Sequence, residues 1–91
     1  MKTSKTVRYF DCGLDAYNKG QFAMAVDYFR MVLHATPSDW NAQFYLGMAL
    51  AQNMQAKAAQ VQFRSISELC PDSTMRRRAT LAASSLRSFT A

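Results

Sequence analysis

The chain has 91 residues, enough for one small domain with a modest core. Its 49% apolar and 12% aromatic content argues against disorder, and no apolar run approaches the roughly 18 residues that a membrane span needs. The net charge of +5 favours acidic partners, while two cysteines are too few for a disulfide framework, so we expect a reduced, cytoplasmic protein.

The first predicted helix runs from Thr6 to Asn18, after a flexible lead-in of residues 1–5. Gly13 lets a neighbouring helix approach closely, because glycine has no Cβ atom. We expect Cys12 to be a small buried core residue. The helix ends before Gly20, which adopts the left-handed conformation at low cost just past a last turn.

The second predicted helix runs from Phe22 to His34 and carries one apolar stripe at helical spacing. The stripe consists of Ala25, Phe29, Val32 and Leu33. Pro37 stops this helix, and Ser38 or Asp39 can cap the third helix, which is predicted from Trp40 to Gln52.

The third and fourth helices are joined by a short turn at Asn53 and Met54. Met54 stands where the first turn has Gly20, so we expect Asn53 to take the left-handed position instead. The fourth helix is predicted from Ala56 to Leu69. Cys70 follows it in a connection, where we expect it to be partly exposed.

The fifth helix is predicted from Met75 to Phe89, with Asp72, Ser73 or Thr74 as its cap. One narrow face of this helix is apolar, and it consists of Met75, Ala79, Ala82, Ala83 and Leu86. The sequence therefore predicts five antiparallel helices with short connections, and it offers no strand candidate.

The pattern of residues 13–37 returns in residues 47–71. The constant shift of 34 residues between the two copies is called the repeat offset below. The identical pairs at the repeat offset are Phe10 and Phe44, Gln21 and Gln55, Ala25 and Ala59, Phe29 and Phe63, and Arg30 and Arg64. A fixed period of about 34 residues indicates a repeat array, in which one helical unit stacks on a copy of itself.

The period and its residues resemble the tetratricopeptide repeat (TPR) family, whose pattern is an aromatic, Leu-Gly, Tyr, Ala-x-x-x-Phe and Pro. The matching residues are Tyr9, Gly13, Ala25, Phe29 and Pro37 in the first copy, and Leu46-Gly47, Ala59, Phe63 and Pro71 in the second. In the first copy Cys12 replaces the Leu, and Tyr17 stands one place later than the Tyr of the pattern. Gln43 and Leu50 depart from the pattern. The resemblance implies an all-α fold, a short right-handed α-solenoid of antiparallel helix pairs. Its parts would be a first repeat at 6–39, a second at 40–73 and a capping helix at 74–91, all in one domain.

The resemblance also implies a binding groove, because the first helix of each TPR lines a concave surface. The groove residues carried onto this sequence are Val7, Phe10, Leu14, Tyr17, Asn41, Phe44, Met48 and Gln52. Asn18, Ala51, Met75, Arg78 and Ala82 extend the same rows. This apolar, aromatic surface suits an amphipathic helix or an extended apolar segment of a protein partner, unless the short array buries it within itself.

One specialised TPR function is not expected. The carboxylate-clamp members hold acidic tails of heat-shock chaperones with Lys or another basic residue at three positions and Asn at two. The residues at those positions here are Phe10, Leu14, Tyr45, Met75 and Ala79.

Three consecutive arginines, Arg76, Arg77 and Arg78, are the sharpest charge feature. On a helix they fan over about 200°, so they either solvate the capping helix or contact an acidic partner. The sequence offers no catalytic trio, no metal-ligand spacing and no phosphate-binding loop. We therefore predict that the protein is not an enzyme and uses no metal or cofactor.

Three functions remain open. The first is a non-enzymatic protein–protein interaction module, such as an adaptor, an assembly factor or a small chaperone. The second is a structural subunit of a homo-oligomer or larger assembly that uses the same surface. The third and weakest is nucleic-acid binding through Arg76–Arg78, since aromatic residues are not interleaved with this basic run.

Overall fold

The backbone of residues 4–90 forms five α-helices in the computed structural model, which describes that range and the side chains of residues 6–86. The helices are α1 (Ser4–Asn18), α2 (Phe22–Ala35), α3 (Trp40–Gln52), α4 (Ala56–Leu69) and α5 (Ser73–Thr90). The predicted bounds of α3 and α4 are confirmed. Helices α1 and α5 begin two residues before their predicted starts, and residues 1–3 of the predicted lead-in lie outside the described range. None of the described helices is both long and apolar enough to cross a membrane.

The helices stack in sequence order. Each one packs against the next, and in addition α1 touches α3 and α3 touches α5. Helices α1, α3 and α5 therefore form one layer, and α2 and α4 form the other. This arrangement confirms the predicted all-α fold, a short helical solenoid of antiparallel pairs.

The two helix pairs, α1–α2 and α3–α4, close around the same internal contact. Phe29 of α2 lies against Gly13 of α1, and Phe63 of α4 lies against Gly47 of α3. Both phenylalanine side chains are almost fully buried. The repeat offset in the sequence thus corresponds to a repeated packing contact, as the internal repeat predicted.

The turn after α3 copies the turn after α1, and this overturns the expectation for Asn53. Gly20 has φ +78°, but in the second turn Met54 itself takes the left-handed conformation at φ +65°, while Asn53 stays at φ −86°. The cause is a shared hydrogen-bond register. The amide of Gly20 donates to Tyr17, and the amide of Met54 donates in the same way to Ala51. Because this pattern requires a left-handed residue at one fixed position, the side chain found there does not move it.

The two predicted N-caps are present. The side-chain carboxylate of Asp39 accepts a hydrogen bond from the backbone amide of Ala42 at 3.2 Å, at the start of α3. The carboxylate of Asp72 accepts one from the amide of Thr74 at 2.9 Å, at the start of α5. Each carboxylate satisfies an amide that has no partner within its own helix.

Both cysteines are free thiols, and their predicted burial is reversed. Cys70 is only 2% exposed, because the short connection from α4 to α5 directs its side chain into the core. Cys12 is only partly buried. Its counterpart one repeat offset later, Leu46, packs in the core of the stack, whereas α1 is the first described helix and Cys12 lines a surface cavity.

Candidate functional site

Aromatic rings connect α1 to α3 on the layer where the groove was predicted. Phe10 and Tyr45 form a T-shaped pair with ring centroids 5.8 Å apart, and Tyr45 and Phe44 form another at 6.1 Å. These rings rest on the buried core, since Phe10 contacts Phe29 at 5.7 Å and Phe44 contacts Phe63 at 5.6 Å. Phe10 and Phe44 are half-buried, so part of each ring faces outward. The structure therefore brings these two predicted groove residues into one continuous surface.

Tyr45 is the link in this surface, and the sequence analysis did not assign it to the groove. It also stacks on Phe29 of the first helix pair, with centroids 5.9 Å apart. The sequence contains a signal for this role, because the residue one repeat offset before Tyr45 is Asp11. Asp11 is exposed on α1, which has no described helix before it, whereas Tyr45 on α3 faces the preceding helix pair.

Arg78 extends the same surface onto α5. Its guanidinium carbon lies 5.2 Å from the centroid of the Phe44 ring, which is a cation–π contact. The inward-facing residues of α5 each stand 33 positions after an inward-facing residue of α3 in the sequence. The corresponding pairs are Met75 and Ala42, Ala79 and Leu46, Ala82 and Ala49, and Ala83 and Leu50. At that spacing Arg78 corresponds to Tyr45. The contact of Arg78 with Phe44 is therefore the counterpart of the contact of Tyr45 with Phe10.

The surface formed by Phe10, Tyr45, Phe44 and Arg78 is called the aromatic row below. The other two arginines, Arg76 and Arg77, are exposed and lie on other faces of α5, as consecutive helical positions must.

A cavity of about 640 Å³ lies next to the aromatic row, between α3, the start of α4 and α5, and is called the α3–α5 cavity below. Its walls are Met48, Ala51, Gln52, Met54, Ala56, Phe63, Ala82, Ser85 and Leu86. Four residues that the sequence analysis placed in the groove or its extension are therefore cavity walls: Met48, Gln52, Ala51 and Ala82. Met48 follows Phe44 by one helical turn, so the aromatic row leads directly into the cavity.

The other predicted groove residues have different surroundings. Tyr17 packs edge-on against Phe22, with ring centroids 5.4 Å apart, and Leu14 packs against the core. Asn41 is exposed. Val7 is also exposed, but it lines a separate surface cavity of about 450 Å³ between α1 and α2, the α1–α2 cavity.

In the part of the chain that the structure describes, the walls of the α3–α5 cavity are uncharged, and a positive charge lies next to the cavity. Its described walls carry no ionisable side chain, and Arg78 lies one helical turn before the wall residue Ala82. Asp11 and Asp15 line the separate α1–α2 cavity instead. Among the described side chains, no three of His, Cys, Asp or Glu are grouped closely enough to hold a metal ion.

The stacked helix pairs define a short helical solenoid, and its five helices are consistent with a TPR-like arrangement. No protein-family model matches the chain. The chain is similar to a protein of Borreliella burgdorferi described as a TPR repeat-containing protein, with 35% identity over 57 residues. The similar stretch covers 58% of this chain and 25% of that relative, so the chain spans about a quarter of the length of the curated relative that it matches.

Proposed function

We propose that the chain is a non-enzymatic protein-interaction module of the TPR type, with two repeats at 6–39 and 40–73 and a capping helix at 74–91. It binds an amphipathic helix or an extended apolar segment of a partner protein on the α1–α3–α5 layer. Such a module serves as an adaptor, an assembly factor or a small chaperone. The observation that carries the proposal is the continuous aromatic row from Phe10 to Arg78, which ends at a cavity.

The exposed part of the row supports a helical partner. Its partly exposed rings lie next to one another across α1 and α3, and a partner helix presents apolar side chains at about 5.4 Å per turn along one face. Such a face can contact several rings of the row at once. Aromatic residues dominate the energetics of many interfaces, and methionines such as Met48 adapt their shape to irregular apolar partners.

A displayed library of helical and extended peptides, selected on the immobilised chain, tests this proposal. We expect enrichment of peptides with apolar residues at helical spacing, and a micromolar dissociation constant for the synthesised winner by fluorescence anisotropy. Met48→Gln should weaken this peptide about tenfold, because it places an amide on an apolar wall.

Met24→Gln is the matched control, since Met24 is an exposed helical methionine that lines the separate α1–α2 cavity. Its affinity for the peptide should equal that of the parent. The proposal is wrong if no peptide is enriched over the bare support, or if both glutamine variants bind the selected peptide as the parent does.

The alternative function is a structural subunit of a homo-oligomer or larger assembly. Large apolar side chains outside the aromatic row favour it: Val61, Leu69 and Leu81 are highly exposed, at 62%, 67% and 64%. Size-exclusion chromatography with light scattering separates the two functions. A stable monomer favours the interaction module, and a tight oligomer favours the subunit.

A further inference from the structure

The two helix pairs differ at one place next to the α3–α5 cavity. In the first pair, the rings of Tyr17 and Phe22 pack against each other between the end of α1 and the start of α2. The residues one repeat offset later are Ala51 and Ala56, and both are walls of the cavity. Two aromatic side chains in the first pair are thus replaced by two methyl groups in the second.

The rest of this region is equivalent in the two pairs. The cavity walls Met48, Gln52 and Phe63 stand one repeat offset after Leu14, Asn18 and Phe29, which are residues of similar size. The turns also share one hydrogen-bond register. Because the framework is the same, the absence of two rings accounts for the open space beside Ala51 and Ala56.

We propose that this cavity binds an aromatic side chain, Phe or Tyr, of the partner segment, and that the same segment carries a carboxylate facing Arg78. The inference rests on the proposed function and specifies its partner. The ring takes the place that Tyr17 and Phe22 fill in the first pair.

The wall chemistry favours an aromatic over an aliphatic side chain. Phe63 contributes a ring to the cavity, and aromatic pairs gain energy from edge-to-face contact beyond the area they bury. Met48 and Met54 contribute thioethers, which also contact aromatic rings favourably. Leucine would bury apolar area in the same space but make neither kind of contact.

The carboxylate follows from charge complementarity. The described cavity walls are uncharged, and the guanidinium of Arg78 is exposed one helical turn away, held over the Phe44 ring. A carboxylate next to the bound ring would meet this guanidinium in a charge-assisted contact.

The test is a titration followed by backbone amide chemical shifts, with N-acetyl-L-phenylalanine as the probe. Its amide derivative and N-acetyl-L-leucine are the comparison probes. We expect shifts centred on Ala51, Ala56 and Leu86. The leucine probe should bind about tenfold more weakly, which is the scale of one imperfectly filled apolar pocket. Arg78→Gln should weaken the carboxylate probe several-fold and leave the amide derivative unchanged.

A filled variant, Ala51→Tyr with Ala56→Phe, copies the first helix pair into the second. No probe should change the backbone amide chemical shifts of this variant, and its melting temperature should be equal to or higher than that of the parent. If this variant does not fold, the single variant Ala56→Phe replaces it in the test. Its affinity for N-acetyl-L-phenylalanine should be at least about tenfold lower than that of the parent. Equal binding of the phenylalanine and leucine probes, or unchanged binding to a folded filled variant, would overturn the inference.

The same variants separate this inference from the proposed function. A display-selected peptide that binds the parent and the filled variant equally leaves the interaction module intact and overturns the aromatic site. If no peptide is selected at all, the proposed function fails. Localised phenylalanine shifts that the filled variant abolishes would then still support an aromatic site in the cavity.

Discussion

The ring of Phe63 lies so close to Gly47 that a Cβ atom added there would be 2.7 Å from its Cε1 atom. Phe29 has the same relation to Gly13, at 2.6 Å. In each pair the two helices thus approach to a distance that a side chain would prevent. Since Phe63 is also a wall of the α3–α5 cavity, this approach positions both the core and the candidate site.

Gly47→Ala and Gly13→Ala should each destabilise the protein. The added Cβ meets a buried ring, and overpacking costs about 1–3 kcal/mol, while the better helix propensity of alanine returns up to about 1 kcal/mol. We expect a net loss near 1 kcal/mol, or a fall of about 4–8 °C in melting temperature. Lys57→Ala, at an exposed position of α4, is the control. A gain in stability in both glycine variants would contradict this contact.

The two alanines of the repeat pattern give a second stability test. Ala25 and Ala59 have no exposed surface, so Ala25→Leu and Ala59→Leu should each cost about 1–3 kcal/mol by overpacking the helix pair. Ala23→Leu is a matched control, because Ala23 lies on an exposed part of α2. Chemical denaturation measures all three variants. Equal free energies of unfolding for the control and the two buried sites would count against the register of the repeat.

The sequence predicted the helices well because the internal repeat gives each signal twice. It failed at Asn53, because the residue type suggested a left-handed conformation where the backbone hydrogen-bond register decided otherwise. The predicted burial of Cys12 and Cys70 was also wrong, because the burial of Cys12 depends on a neighbouring helix and that of Cys70 on the direction of the short α4–α5 connection.

The candidate site was harder to predict than the fold. Phe10 and Phe44 were assigned to the groove because the TPR resemblance places groove residues at their positions, and the structure brings their rings into one surface. The cavity was missed because small residues such as Ala51 and Ala56 give no signal by themselves. Only their comparison with the aromatic residues one repeat offset earlier reveals a space, and only the structure shows that a cavity lies there between α3 and α5.

Met54 gives a prediction on backbone conformation. A residue with a side chain at φ +65° carries a cost of about 1–2 kcal/mol that glycine avoids, so Met54→Gly should raise the free energy of unfolding by about 1 kcal/mol. Gly20→Met is the reciprocal control. No atom lies within 4 Å of a Cβ placed on Gly20, so its expected loss of about 1 kcal/mol comes from the backbone alone. Denaturant titrations measure both variants. If the two substitutions do not change the free energy of unfolding in opposite directions, the shared turn geometry is contradicted.

The three arginines should differ in their effect on binding. With a display-selected peptide that carries an acidic residue, Arg78→Gln should lower the affinity and flatten its salt dependence, because Arg78 is the one of the three that belongs to the aromatic row. Arg76→Gln and Arg77→Gln are controls of equal charge change at exposed positions. Anisotropy titrations at two salt concentrations measure all three. Equal effects of the three substitutions would indicate that the arginines attract the peptide through their general positive charge rather than through a direct contact at Arg78.

The last prediction concerns Phe10 and Phe44, which have two roles. Each ring faces outward in part, yet each also packs on a buried phenylalanine, Phe29 or Phe63. Truncation to alanine would therefore remove core contacts as well as binding surface, and a buried Phe→Ala change costs about 3–5 kcal/mol. A double alanine variant of so small a domain would confuse loss of folding with loss of binding.

Phe10→Leu and Phe44→Leu separate the two roles. Leucine keeps most of the apolar packing, so each variant should lose no more than about 1.5 kcal/mol of stability and remain folded. It removes the flat ring, so affinity for the selected peptide should fall by about 1–2 kcal/mol per site. Phe22→Leu is the control, because Phe22 packs on Tyr17 and not on the row. A melt and a binding titration on each variant decide the matter. If the row variants stay folded and bind the peptide as tightly as the control does, the rings support the core and do not form the partner surface.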